Sequence, residues 1–372
     1  MKIVQISPYP MSRPGGVQSN IRDLSEWLRA QGHEVRIVAP PGGAPGTDKG
    51  LIELGKTRVV SIHGTTFELS RASRPELTTC VADLRDWGAD VVHLHTPWTP
   101  MLAWQLWRRL SLPSVATFHA TLPRDGGLDP VSWFLRRAAR YFHRRLDAII
   151  VPSKAPQDQW RALGLSPAPQ ILPPAIDLSA WRAARRAQPP RTGPFHVVYM
   201  GRLEERKGVR ILLDAWPEVV KNMPDARLTI AGSGTLEGAI KDRVASMNLP
   251  GLSLRPAPAN TPARALIASA DVFAAPALHG ESFGLVLIEA MSAGALPVAA
   301  ANEGFSTVMT GEGEELLTPP GDASALAEKL IALARDDALR ERLGIWAQNH
   351  ALRFDVVQQG PAYLGAFERA LG

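Results

Sequence analysis

The sequence predicts an α/β protein made of two doubly wound, Rossmann-like halves. Short apolar runs of strand length alternate with segments of helical periodicity from residue 3 onward, the pattern of a parallel sheet covered by helices. The alternation starts afresh after residues 188–194, which hold three prolines and a glycine and so interrupt regular structure. A chain of 372 residues, 45% of them hydrophobic, can supply two cores of ordinary domain size.

Taken in order, Ile3-Val4-Gln5-Ile6 is the first strand, and residues 18–30 follow as a helix with Ile21, Leu24 and Leu28 on one face. Residues 35–39 complete a βαβ unit, and 91–94, 115–118 and 148–151 continue the sheet. In the second half the strands are 196–200, 227–231, 252–254, 272–275 and 297–299. Residues 324–371 read mostly as helix, broken near Arg353-Phe354-Asp355. The last helix, 356–371, packs on the second half or crosses back to the first, and periodicity leaves both open. In such sheets ligands bind outside the carboxyl ends of the strands, which directs attention to the loops there.

The charge is unevenly placed. A formal net of +5, with a pI near 9.5, conceals 14 basic against 5 acidic side chains in residues 101–200, a local +9 that leaves −4 elsewhere. Part of it lies in 134–146, where Arg136, Arg137, Arg140 and Arg144 share about 100° of helical arc opposite Leu135, Phe142 and Leu146. Such a basic amphipathic helix suits an anionic membrane surface, or serves as a domain helix with a solvated face. No apolar run approaches the roughly 20 residues of a membrane span; the longest, 283–300, contains Glu289 and Pro297. The chain enters its first strand without the features of a signal peptide. Its single cysteine, Cys80, excludes an internal disulfide and a multi-cysteine metal site. A cytoplasmic location is expected.

Four strand-end segments carry candidate chemistry. The first strand leads into Ser7-Pro8-Tyr9 and then Pro14-Gly15-Gly16-Val17-Gln18-Ser19, where a Gly-Gly pair before a helix allows close backbone approach to an anion or hydroxyl. No G-x-G-x-x-G fingerprint follows that strand, and no Walker A loop occurs anywhere, so a P-loop nucleoside triphosphatase is excluded. The second half opens its first strand into Gly201-Arg202-Leu203-Glu204-Glu205-Arg206-Lys207-Gly208; these cations can pair with a diphosphate, Arg as a fork and Lys as a compact charge. In His279-Gly280-Glu281-Ser282-Phe283-Gly284-Leu285-Val286-Leu287-Ile288-Glu289, Glu281 in a loop and Glu289 within an apolar helix would meet one ligand from different depths. An isolated buried carboxylate is costly, so the apolar company of Glu289 is informative. His119, after the strand 115–118, is placed to touch a substrate, whereas His93 and His95 lack the third ligand of any familiar zinc spacing.

Together, the Gly15-Gly16-Val17 turn, the Arg202 to Lys207 cluster and the Glu281-x7-Glu289 pair resemble the retaining glycosyltransferases of family 4, which have the GT-B fold. The resemblance covers nearly the whole chain. Within the family it is strongest to the phosphatidyl-myo-inositol mannosyltransferase branch, on Pro14-Gly15-Gly16-Val17-Gln18-Ser19, Val115-Ala116-Thr117-Phe118-His119 and Gly280 through Met291. It implies two Rossmann-like domains facing a central cleft: residues 1–174 with 353–372 binding the acceptor, and 175–352 binding a UDP- or GDP-sugar. The last helix would cross back to the first domain.

The resemblance also implies roles. Arg202 and Lys207 would neutralise the leaving diphosphate, Glu281 would hold donor-sugar hydroxyls with Ser282, Phe283, Gly284 and Leu285 beside it, and Glu289 would accept from the ribose. Gly16 would face donor and acceptor, Tyr9, Gly15, Gln18 and Arg124 would serve the acceptor, and His119 would lie near the reacting sugar. No Asp-x-Asp occurs, so the expected reaction needs no metal and no cofactor beyond the sugar nucleotide. Its expected acceptor is a membrane lipid, reached from the inner face through 134–146, with a soluble sugar or polysaccharide acceptor as the alternative. Asn260 and Ala263 stand where that branch has an acidic residue and a lysine at guanine, and 120–125 differ from its lysine-containing acceptor stretch. A basic nucleic-acid-binding protein would explain the net charge but leave the paired glutamates without a purpose.

Overall fold

The structure is a computed structural model that describes residues 1–13, 15–42, 48–62, 65–97, 101–119, 130–189 and 191–372, without the side chains of 58–62, 65–68, 130–132, 134, 135 and 260. The chain divides into two compact units, Met1–Ile176 with Val356–Gly372, and Asp177–Asp355. The crossings thus lie two to three residues beyond the expected 174/175 and 352/353.

The first unit runs β1 (Lys2–Ile6), α1 (Gly16–Ala30), β2 (Glu34–Ala39), β3 (Leu51–Glu53), β4 (Lys56–Ile62), β5 (Thr65–Arg71), α2 (Arg74–Asp86), β6 (Val91–His95), α3 (Met101–Leu110), β7 (Ser114–Thr117), α4 (Pro130–His143), β8 (Ala148–Val151), α5 (Lys154–Ala162) and β9 (Gln170–Ile171). Seven strands form one parallel sheet in the order β3-β2-β1-β6-β7-β8-β9. A parallel sheet is covered on both faces, so its strands are apolar almost throughout; Ile3, Val4, Ile6, Val91, Val92 and Leu94 are fully buried. The β4–β5 hairpin is antiparallel and separate from this sheet; the sequence reading did not anticipate it. Ser73 starts α2 with a reciprocal capping box: its hydroxyl accepts from the Glu76 backbone and its own N–H donates to the Glu76 carboxylate.

The second unit runs α6 (Ser179–Arg186), β10 (His196–Met200), α7 (Val209–Asn222), β11 (Arg227–Ala231), α8 (Glu237–Met247), β12 (Leu252–Arg255), α9 (Asn260–Ala268), β13 (Val272–Ala275), α10 (Leu285–Ser292), β14 (Leu296–Ala300), α11 (Glu303–Val308), β15 (Leu317–Thr318), α12 (Ala323–Arg335) and α13 (Asp337–Ala351). Its parallel order, β12-β11-β10-β13-β14-β15, reverses direction between β10 and β13. The first sheet does the same between β1 and β6. In each unit the loops leaving those two strands therefore diverge at a switch point, the place where doubly wound sheets hold ligands.

The last helix, α14 (Val356–Leu371), belongs to the first unit, which answers the question that periodicity left open. Its Val356, Tyr363, Ala366 and Phe367 join Ile3, Leu24, Leu28, Val91 and Val115 in one core. Burying Tyr363 and Phe367 contributes about 2 kcal/mol each. Gly360 lets the helix approach Trp27 of α1, since a Cβ there would sit 2.6 Å from the indole. Among the described residues no helix is long and apolar enough to cross a membrane.

Candidate active site

At the switch point of the second unit, β10 opens into Gly201–Glu204 and a short 3-10 turn, Glu205–Lys207, before α7. Gly208 makes this connection with φ of 70°, and a Cβ there would lie 1.9 Å from the Pro276 carbonyl oxygen, so only glycine fits. The Leu278 N–H donates to the Arg206 carbonyl at 2.8 Å, tying the loop after β10 to the loop after β13. The tie brings the charged segments together. Lys207 Nζ lies 2.5 Å and Arg206 Nη1 3.3 Å from the same Glu281 oxygen. Arg206 Nε also reaches Glu204 at 3.2 Å, and Arg202 meets Glu204 at 2.8 Å. Three cations thus share two carboxylates, leaving positive charge for an incoming anion. Arg202 is the most open of them, its side chain 62% exposed, against 14% for Glu281.

The segment after Glu281 is shaped by glycines and capping. Gly284 has φ of 126°, and a Cβ would come within 2.9 Å of the Phe305 ring. Phe283 is buried edge-on against Phe354, so its side chain serves packing while its backbone lies before α10. Ser282 is partly exposed, and Leu285 begins α10. Asn302 caps α11 by accepting from the Phe305 N–H and donates to the Ala277 carbonyl. Glu281 is in the loop and Glu289, partly buried, is within α10, as expected of their placement. Tyr199 at the end of β10 donates to the Arg202 carbonyl at 2.8 Å; burial, then Glu281 and Glu204, push its phenol pKa up.

The switch point of the first unit has another character. Ser7 donates to the Tyr9 carbonyl and accepts from its N–H, bending the chain just after β1. Gly15 and Gly16 are exposed at the start of α1. Gly15 has an extended φ of 175°, which any residue adopts. Gln18 is buried and donates to the Pro10 carbonyl at 3.4 Å. His119, partly exposed after β7, meets His95 with a 2.8 Å contact between Nε2 and Nδ1. Both ring nitrogens of His93 and of His95 have side-chain partners within 2.8 Å, so these histidines form a hydrogen-bonded cluster. Burial lowers all three, His93 to about 3, His119 to about 4 and His95 well below its ordinary value, neighbouring rings adding to the shift at His93 and His95. The cluster is neutral at pH 7.

Arg124 and 120–125 lie outside the described residues, as does the Asn260 side chain; Ala263 is buried in α9. The expected basic helix is α4, which ends at His143. Its Arg136, Arg137 and Arg140, with Arg144 beyond its end, are exposed, while Phe142 and Leu146 are buried. Sequence reasoning left Arg206, Glu204 and Tyr199 without individual roles. Arg206 was visible as a third cation, but only the fold shows that it bridges both carboxylates.

Comparison with known proteins agrees with this architecture. Residues 14–180 match Glycosyltransferase Family 4 and residues 194–336 match Glycosyl transferases group 1. The chain is 34% identical over 364 residues to the phosphatidyl-myo-inositol mannosyltransferase of Mycobacterium leprae, covering 95% of this chain and 93% of that one. It is 26% identical to the Arabidopsis thaliana sulfoquinovosyl transferase SQD2, over 94% of this chain and 70% of the relative. Among solved structures it is similar to Anabaena Alr3699/HepE in complex with UDP and glucose, with a TM-score of 0.77, 19% identity and 99% of each chain covered. Two parallel-sheet units of switched strand order, and this relationship along almost the entire chain, show that the protein belongs to glycosyltransferase family 4 and has the GT-B fold.

Proposed function

We propose that the protein is a retaining hexosyltransferase that moves a mannose- or glucose-type sugar from a UDP- or GDP-sugar to a membrane lipid, of phosphatidylinositol-like or diacylglycerol type. The observation that carries this reading is the convergence of Lys207 and Arg206 on Glu281 at the switch point of the second unit. A sugar diphosphate offers each of them a partner: phosphate oxygens for Lys207, Arg206 and Arg202, and sugar hydroxyls for the Glu281 carboxylate. Glu289 is assigned to the ribose, and Ser282, Phe283, Gly284 and Leu285 to the backbone bordering the sugar. Tyr9, Gly15, Gly16, Gln18 and Arg124 are assigned to the acceptor, and His119 to the reacting sugar.

In this mechanism the acceptor hydroxyl attacks the anomeric carbon on the face from which the diphosphate departs. The C–O bond to the leaving phosphate breaks as the new glycosidic bond forms, and the acceptor proton passes to the β-phosphate. The transition state is oxocarbenium-like, so catalysis rests on stabilising the departing negative charge and on positioning. Arg202 and Lys207 supply that stabilisation without a metal.

The lipid acceptor is supported by the mannosyltransferase and sulfoquinovosyl transferase relatives and by α4. Its arginines are exposed beside Trp133, which is 64% exposed, and Met101, Trp104 and Tyr141 line an apolar recess next to them. Each basic residue near an anionic bilayer contributes about 1 kcal/mol, which supports a position on the inner membrane face. The test is a panel of UDP- and GDP-sugars incubated with the protein and total bacterial lipid extract, followed by mass spectrometry. A hexosylated lipid is expected; transfer to soluble sugars alone overturns the lipid assignment.

A further inference from the structure

One buried polar cluster has no role in the leaving-group chemistry. Because β1, β6 and β7 are parallel, with Gln5 opposite His93 and His95 opposite Thr117, all four side chains share one face of the sheet with His119 two residues on. Strand alternation places Ile3, Val91 and Val115 on the same face, where they pack in the core under α14. Gln5, His93, His95 and Thr117 are 0% exposed, and the Phe367 ring stands edge-on to His93 at 5.2 Å. Valine or leucine would fill a sheet core with no polar atoms to satisfy. Here the polar side chains form one continuous hydrogen-bonded chain, in which Gln5 Nε2 has no partner among the described residues.

The bonds of that chain have a direction. Gln5 Oε1 lies 2.8 Å from both His93 Nδ1 and His95 Nε2. A carbonyl oxygen only accepts, so both nitrogens carry hydrogen, and each neutral ring keeps its lone pair on the other nitrogen. His93 Nε2 then accepts from the Thr117 hydroxyl at 2.8 Å. His95 Nδ1 accepts from His119 Nε2–H at 2.8 Å, with the two rings stacked, 9° apart in plane. With its hydrogen on Nε2, neutral His119 has its lone pair on Nδ1. Turning the Gln5 amide over would reverse every bond and put the hydrogen on His119 Nδ1.

We propose that Gln5, His93 and His95 are positioning residues that fix the tautomer of His119, so that an uncharged imidazole offers an Nδ1 lone pair to a substrate hydroxyl. This rests on the assignment of His119 to the reacting sugar. The arrangement suits a reaction in which positive charge develops on the sugar: an imidazolium would repel it, while a neutral ring orients the hydroxyl by accepting from it. Among the described residues, the titratable groups facing His119 and its partners are the three histidines themselves and Tyr363 of α14, whose ring lies 6.1 Å from His93.

The test is long-range 15N–1H correlation on the full chain labelled at histidine, near neutral pH, with His119 identified by the signals lost in His119→Gln. A protonated Nε2 and a bare Nδ1 at His119 are expected; the reverse pattern, or a pair averaged by exchange, overturns the proposal. Gln5→Leu removes the shared acceptor. It should move the His119 signals toward the average and lower kcat by about tenfold, with KM for the donor nearly unchanged. Gln5→Glu keeps an acceptor oxygen at this position, so it should restore the tautomer, and its negative charge should shift the acid limb of the kcat profile to higher pH. An unaltered His119 pattern in Gln5→Leu overturns the relay, and near-normal kcat in His119→Gln overturns the contact with substrate. The nitrogen signals need no substrate: a protein that shows them yet transfers no hexose defeats the proposed function and upholds the relay, and the reversed pattern in an active protein does the opposite.

Discussion

The two sheets reverse strand order in the same way, yet their switch points are electrostatic opposites. In the first unit the strand ends present amide, hydroxyl and imidazole groups held neutral by burial. In the second they present full charges, with Lys207 and Arg206 on Glu281 and Arg202 and Arg206 on Glu204. One topology therefore serves two chemistries. The sheet decides where a loop emerges, and a few residues at the strand ends decide whether that edge is neutral or charged.

The largest expected effect separates the glycines of the two edges. Gly208→Ala places a Cβ against the Pro276 carbonyl and forces a left-handed φ, so it should cost about 3 kcal/mol or more in urea unfolding. Gly15 is extended, and a Cβ there meets only the end of the Gln18 side chain. Equal losses from the two alanines would erase the contrast.

Next comes the charged edge itself. Lys207→Ala and Glu281→Ala should each reduce turnover at least about tenfold, and about 100-fold where the lost contact acts on the departing phosphate. Circular dichroism should show both variants folded. Near-normal rates in both would remove the second unit's edge from the chemistry.

The neutral edge is probed by acid. Unfolded histidine titrates near 6.5, but folded His93 and His119 do so at about 3 and about 4. Below pH 6.5 the unfolded chain binds protons that the folded chain does not, so stability present above pH 6.5 is lost as pH falls toward 4. The slope is about 1.4 kcal/mol per pH unit for each such histidine. Urea midpoints at pH 7 and pH 5 measure it, and His119→Gln should make the loss smaller by one histidine's share. A midpoint that does not move contradicts the neutral cluster.

The smallest effect per residue concerns the surface. Replacing Arg136, Arg137, Arg140 and Arg144 by Gln should weaken binding to anionic vesicles by about 1 kcal/mol per residue at low salt and less at high salt. Equal binding of the native protein to neutral vesicles defeats the electrostatic account.

Much of this was legible beforehand. Short apolar runs of strand length located β1, β6, β7, β10 and β13, and a glycine pair, a cation cluster and two spaced glutamates marked the loops that follow strands. These signals are local, because strand and helix periods and turn residues act over a few positions. The β4–β5 hairpin was not legible, since Lys56–Ile62 and Thr65–Arg71 carry no tight-turn signature of the strongest kind.

The sequence by itself determined the fold class, the alternation of the central strands with helices, and the chemical type of the loops after β1, β10 and β13. Only the tertiary structure decided that α14 completes the first unit, that Arg206 rather than Arg202 joins Lys207 on Glu281, and that Gln5 binds two histidines lying 88 and 90 residues away. Those choices depend on which strands become neighbours in a sheet. That is set by the packing of distant segments, and no local period records it.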